Sequence, residues 1–171
     1  MIFLRALEPE DLELLYTIEN DPDLWAVSNN EAPYSRYSLK EYIASQPNSL
    51  AESHCLRLIA CRTDNQKAIG IVDLSDYSPI HQRAEIGIAL LKDEQQKGFG
   101  KAILRELEKF AVQKFNIRQV YAYTYANNEA AGRKLFISSN YNEVGIIKGW
   151  HYDGNGFSDV IFFQKILQKK S

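Results

Sequence analysis

Cysteine is scarce in this 171-residue chain, which holds two, Cys55 and Cys61. Two thiols cannot build the disulfide framework that staples small secreted domains, so a reduced, cytoplasmic protein is expected. Even with His54 they fall short of a full zinc donor set, and they lie in a strand-like run. They read as core cysteines, and no metal is expected. Charge excess is also missing. A net charge of −2 and a pI near 5.9 give no global basic field to favour nucleic acid. No apolar run approaches the ~20 residues of a membrane helix. The first residues, MIFLRALEPEDLELL, have neither a basic lead-in nor a long apolar segment, so no signal peptide is expected. No repeat, low-complexity tract or linker divides the chain, whose length suits one domain, residues 1–171.

What is present is apolar content, 45% of residues, arranged in short periodic runs. Residues 2–6 read as a strand. Glu8-Pro9-Glu10-Asp11 opens a helix, with proline and acids in its first turn, and Asn20-Asp21-Pro22 closes it. Ser38-Leu39-Lys40-Glu41 has the form of a capping box opening a short helix to about Gln46. Residues 55–62 and 67–75 form a hairpin around an Asp64-Asn65 turn, and 83–91 a further strand. A helix runs to about Lys114. Residues 118–125, rich in β-formers, precede a helix at 128–138 and strands near 141–148 and 157–166. The order β, α, α, β, β, β, α, β, α, β, β predicts a mixed sheet with helices on its faces. It is not the repeated βαβ of a doubly wound nucleotide fold.

One stretch stands out. Glu94-Gln95-Gln96-Lys97-Gly98-Phe99-Gly100-Lys101 lies where a strand gives way to a helix. The first N–H groups of a helix have no partner within it and carry partial positive charge, which a phosphate can satisfy. Glycine lets backbone approach a ligand, so the junction reads as a pyrophosphate cradle, with Lys97 and Lys101 adding charge, or else as a flexible turn. A Walker A loop does not fit, because Ala102 stands where Ser or Thr should be and Gln95 where its first glycine should be. A Rossmann turn does not fit either, because Ile103 replaces the third glycine. Gly87, inside the preceding strand, marks a bulge, a close approach or a packing accommodation.

Gln95-x-x-Gly98-x-Gly100 resembles the Q/R-x-x-G-x-G/A acetyl-CoA signature of the GNAT superfamily of N-acetyltransferases. The resemblance extends through FLRALEPEDLELLYTIENDPDLW, AIGIVDLSDY, RAEIGIALLKDEQQKGFGKAILRELEKFA and NNEAAGRKLFISSNY. It is nearest the branch of ribosomal-protein N-terminal acetyltransferases and spermidine/spermine acetyltransferases. It implies an α/β fold of the α+β type, with a twisted, mostly antiparallel sheet of six to seven strands and helices on both faces. It also implies acetyl-CoA as co-substrate. Ile88, Ala89 and Leu90 would hydrogen-bond the pantetheine arm, and Gln95 with the N–H groups of Gln96, Lys97, Gly98, Phe99, Gly100 and Lys101 would hold the pyrophosphate. Asn128 and Phe136 would meet the pantetheine, and Arg133 and Lys134 are candidates for the adenosine 3′-phosphate.

An amine acceptor is protonated at neutral pH and must lose a proton before it can attack. Glu85, where many family members carry a glutamate, is the candidate base. The tyrosine that protonates the leaving thiolate in the family is missing. Counting from Asn128 its place falls on Leu135, and counting back from Asn140-Tyr141 it falls on Phe136. Ser138, Ser139, Tyr141 or water are the alternatives, or the thiolate leaves without a side-chain acid. Residues 23–37, with Trp25, Glu31, Tyr34 and Tyr37, and a late hairpin with Trp150 and His151, are expected around the acceptor. His54 and His81 carry no expected role. The implied reaction is direct transfer to a primary amine, of a polyamine or small amine or of a protein N-terminus. The alternative is a CoA-binding sensor that has lost its chemistry. A homo-oligomer is expected by resemblance, and no partner nucleic acid or membrane.

Overall fold

The alternating runs pair into one seven-stranded sheet in a computed structural model, which describes residues 1–25, 32–47, 49–125, 129–152 and 154–167, with backbone alone at 24–25 and 129–130. The strands are β1 (Ile2–Ala6), β2 (Leu56–Arg62), β3 (Ala68–Ser78), β4 (Arg83–Leu90), β5 (Gln119–Tyr125), β6 (Asn142–Tyr152) and β7 (Phe157–Ile166). Their order is β1-β2-β3-β4-β5-β7-β6. Every neighbouring pair is antiparallel except β4 with β5, which is parallel. A parallel pair needs a crossover, here α5 (Phe99–Phe115).

Helices lie on both faces, as the pattern predicts. On one face Ile103, Leu104 and Leu107 of α5 and Phe136 of α6 (Glu129–Ser138) share a core with Ala84, Ile86, Val120, Ala122 and Phe163. On the other face Leu15 and Ile18 of α1 (Leu12–Glu19) and Leu39 and Ile43 of α3 (Arg36–Ala44) pack on Ile59, Cys61 and Ile71. Arg57 of β2 crosses from sheet to α1. It grips Asp73 of β3 through two bonds of 2.7 and 2.8 Å and also donates to Glu19 of α1.

Several local expectations are corrected. The N-cap of α3 is Ser35, whose side chain accepts from the Ser38 N–H. Ser38 lies inside the first turn, because the extended backbone before it at Ser35 already supplies the capping oxygen. Two single-turn helices, α2 (Pro22–Trp25) and α4 (Leu50–Ser53), were not expected. Cys61 is buried as a core cysteine should be, but Cys55 is exposed. Gly87 pairs regularly with Asp73, with no bulge there. The irregularities fall instead between Ala60 and Cys61 of β2 and between Ser75 and Ser78 of β3.

Candidate active site

β4 pairs with β5 over three rows only, Arg83↔Gln119, Ala84↔Val120 and Glu85↔Tyr121. On its other edge it stays paired with β3 as far as Leu90. Beyond Glu85 the two parallel strands separate, leaving a V-shaped opening between Ile86–Leu90 and Ala122–Tyr125. Ile88, Ala89 and Leu90 lie on this opened edge. Backbone polar groups on an unpaired edge are a template for any extended ligand.

The loop beyond β4 is tightly built. A 3-10 turn over Lys92–Glu94 aims the Glu94 carboxylate inward, where its side chain is 3% exposed and accepts from Lys67 Nζ at 2.7 Å and Lys97 Nζ at 3.2 Å. Those hydrogen bonds, Lys67 first, hold the Glu94 carboxyl below its ordinary value. The Lys97 ammonium is thus turned toward Glu94. Gln95 reaches back, its Nε2 donating to the Leu90 carbonyl at 3.1 Å. Gln96 and Gly98 then take left-handed conformations, φ +59° and +82°. Phe99 packs its ring against the core beneath the Arg62 guanidinium.

The two glycines do different things. Gly98 supplies the left-handed turn that starts α5, and an added Cβ would stand in open space. As its N-cap, Gly98 supplies no side-chain cap to the 17-residue helix, so the first N–H groups, at Phe99, Gly100 and Lys101, have no partner within the helix. Gly100 allows a close helix contact, since a Cβ there would lie 3.0 Å from Leu135 Cδ1 of α6.

Glu85 sits at the vertex of the opening, half-buried, between Ser75 of β3 and Tyr121 of β5. Burial, then the charge of Asp76, pushes its carboxyl up, and a hydrogen bond with Tyr123 opposes them. Tyr123 is itself pushed up to about 12, by burial first and then by Glu85. Strand alternation puts Tyr121, Tyr123 and Tyr125 on one face of β5. Tyr121 stacks on Phe162 at 5.3 Å and donates to Asp76, and Tyr125 meets the His151 ring at 4.1 Å. This ladder and Asp76 were not singled out from sequence. The signal was present, because YAYTY places three hydroxyls at period two.

The two alternatives for the missing tyrosine separate. Leu135 touches Gly100 at the start of α5. Phe136 is 5% exposed and lies between Tyr141 and Phe163 in the core, so its ring is occupied by packing rather than turned to an open cleft. Tyr141 is also unsuited to proton donation there. Its hydroxyl donates to Glu108 at 3.0 Å, and burial, then Glu108, pushes it far up. The Ser138 hydroxyl donates to the Leu135 carbonyl, and that of Ser139 is buried. Arg133 pairs with Glu143 at 2.9 Å. Asn128 and Glu31 lie outside the described residues, as does the side chain of Trp25. Tyr34 is tied by backbone bonds to the Asn20 amide at the end of α1. The Tyr37 hydroxyl donates to Glu41, and Trp150 is exposed on β6. Among the described residues no cluster of metal-ligating side chains occurs, and no helix is long and apolar enough to cross a membrane.

Comparison with known proteins agrees with this architecture. The family described as the acetyltransferase (GNAT) domain matches residues 2–135. A spermidine N(1)-acetyltransferase of Vibrio cholerae is 24% identical over 148 residues, 86% of this chain and 80% of that one. An uncharacterized N-acetyltransferase of Bacillus subtilis, YoaA, is 21% identical over 93% of both chains. The crystal structure of spermidine N-acetyltransferase from Vibrio cholerae with CoA and spermine superposes with a TM-score of 0.84, at 22% identity, over 97% of this chain and 95% of that one. A dodecameric structure of that enzyme gives 0.78, at 22% identity, over 97% and 94%. With a family match across most of the chain and the opened β4–β5 pair before an uncapped helix, this protein belongs to the GNAT acetyltransferase family and is an N-acetyltransferase.

Proposed function

We propose that the acceptor is a polyamine, acetylated on a primary amine by direct attack on acetyl-CoA. The observation that carries this is the chemistry of the face beside the opening. Two carboxylates, Glu85 and Asp76, stand among the rings of Tyr121, Tyr123 and Tyr125, a surface suited to an alkyl ammonium through charge and cation–π attraction. The resemblance to a spermidine acetyltransferase points the same way. A protein N-terminus brings peptide carbonyls and side chains that such a face does not need.

In this reading the β4 edge at Ile88, Ala89 and Leu90 holds the pantetheine. The N–H groups from Gln96 to Lys101 hold the pyrophosphate, with Gln95 and Glu94 fixing the loop. Asn128 is the remaining proposed pantetheine contact. Glu85 takes one proton from the acceptor R–NH3+. The freed lone pair attacks the thioester carbonyl, forming the N–C bond, and a backbone N–H of β4 stabilises the oxygen charge. The C–S bond then breaks and the electron pair leaves on sulfur. The extra proton on nitrogen departs to the thiolate or to water, giving the amide and free CoA. Leu135 supplies no acid for that last step. A thiolate, with a pKa of about 8.5 in its cysteine counterpart, leaves near neutral pH with modest help. Supply of acetyl-CoA and two unbridged cysteines favour the cytoplasm, and self-association is proposed with them.

The test is thiol release from acetyl-CoA with spermidine, spermine and diamines against ribosomal N-terminal peptides. Turnover of the polyamines is expected, and Glu85→Gln should lower kcat/KM by about 10²–10⁴-fold, the usual worth of a general base. Turnover confined to peptides would overturn the acceptor reading, and an unimpaired Glu85→Gln would remove Glu85 as the base.

A further inference from the structure

Asp76 occupies a place that regular strand geometry would deny it. Along β3, Ser75 pairs with Glu85 and shares its face. Simple alternation would turn Asp76 to the opposite face and bring Tyr77 back. The reverse is found. Tyr77 packs into the core with α5, its ring 6.1 Å from Phe115, and Asp76 accepts from the Tyr121 hydroxyl on the Glu85 face. The cause is the bulge between Ser75 and Ser78 together with a left-handed Asp76, φ +46°. Bulges re-aim side chains and gather beside active sites. A non-glycine residue in that conformation persists where its surroundings hold it.

We propose that Asp76 is a positioning residue for Glu85: the bulge and Tyr121 hold its carboxylate beside Glu85, where it keeps Glu85 a strong enough base to take the acceptor's proton at neutral pH. This rests on the reading of Glu85 as the base. A nearby carboxylate charge makes Glu85 bind its proton more tightly, and a base of higher pKa accepts a proton from an ammonium more readily. Burial and the Asp76 charge both push Glu85 in that direction. Among the described residues, the other groups facing Glu85 do not replace Asp76. Tyr121, Tyr123 and Tyr125 of β5 stay neutral, all pushed up. Ser75 is uncharged, and Asp73, beside Gly87, is bound by Arg57, which it shares with Glu19. Arg83 of β4 acts on Tyr121 and would lower Glu85, not raise it. The His151 ring meets Tyr125.

Asp76→Asn isolates the charge, because asparagine also tolerates the left-handed conformation and can still accept from Tyr121. The side-chain carboxyl of Glu85, assigned by its loss in Glu85→Gln, is followed by carbon NMR across pH in the free protein. The acid limb of kcat/KM with spermidine is measured in parallel. In Asp76→Asn the Glu85 midpoint is expected to fall by about half to one pH unit, and the acid limb by the same amount. An unmoved midpoint overturns the proposal. A midpoint that falls while the limb stays put overturns instead the assignment of Glu85 as the base, and the role of Asp76 with it.

Discussion

At Gly98 an alanine would meet strain without a clash, because φ is +82° and no atom stands within 4 Å of the added Cβ. Gly100 poses the opposite problem, a permissive helical backbone with a Cβ 3.0 Å from the flexible end of Leu135. Gly132 of α6 is tighter still, its added Cβ falling 2.4 Å from Thr124 Cγ2 on the buried face of β5. Magnitudes then order the three. Gly98→Ala should cost about 1–2 kcal/mol for a left-handed alanine. Gly100→Ala gains up to about 1 kcal/mol of helix propensity, which offsets the shift of Leu135, so it should fall within about 0.5 kcal/mol of wild type. Gly132→Ala overpacks a core contact and should cost about 2–3 kcal/mol. Urea denaturation gives all three. A Gly100 variant as damaged as the Gly132 variant would show that Leu135 cannot yield, and that the helix contact rather than the turn governs this junction.

Between the elements, the Arg57 bridge ties α1 to the sheet on the face where Glu85 lies. Its three side chains are 16–23% exposed, dry enough that an abandoned carboxylate is costly. Arg57→Ala strands Glu19 and Asp73 and should lose about 2–4 kcal/mol, below the full cost of breaking a deeply buried pair. Adding Glu19→Gln and Asp73→Asn should recover part of that loss in the same unfolding experiment. Failure to recover any of it would assign the loss to stacking of the guanidinium over the Tyr42 ring. The elements themselves were largely readable from sequence, since each long run carries its own period. The single turns α2 and α4 were not, because four residues are too few for a 3.6-residue period to register. Ser35 and Ser38 competed for one cap, and the backbone angle, not the residue type, decided between them. The start of α5 at Gly98 was readable because a glycine ahead of a long apolar-periodic run marks a turn into a helix. The parting of β4 from β5, the bulge at Asp76 and the inverted β5-β7-β6 order come from pairing between distant segments, which no local pattern encodes. The same limit hid Asp76, a residue that alternation alone assigns to the wrong face.

Across the whole molecule the sheet is unevenly covered. β1 to β4 lie between helices, whereas β6 is the last strand and almost all of its residues are exposed. Val144, Ile146, Trp150, Tyr152 and Phe157 are each 53–75% exposed, a concentration of large apolar and aromatic side chains on one hairpin. Exposed apolar side chains gathered on one element mark an interaction surface, and a stable interface takes about 800 Å² from each partner. The two irregularities in the pairing of β6 with β7 twist its edge and discourage simple strand addition, so a second copy should meet these side chains rather than extend the sheet. Sedimentation velocity at tens of micromolar should therefore give a mass above the 19.6 kDa of one chain. Trp150→Ser with Phe157→Ser should return it toward that value while CoA binding, which we propose on β4 and α5, persists. A wild-type protein that sediments as a single chain would show that this surface stays open, and would leave the site to work complete within one protomer.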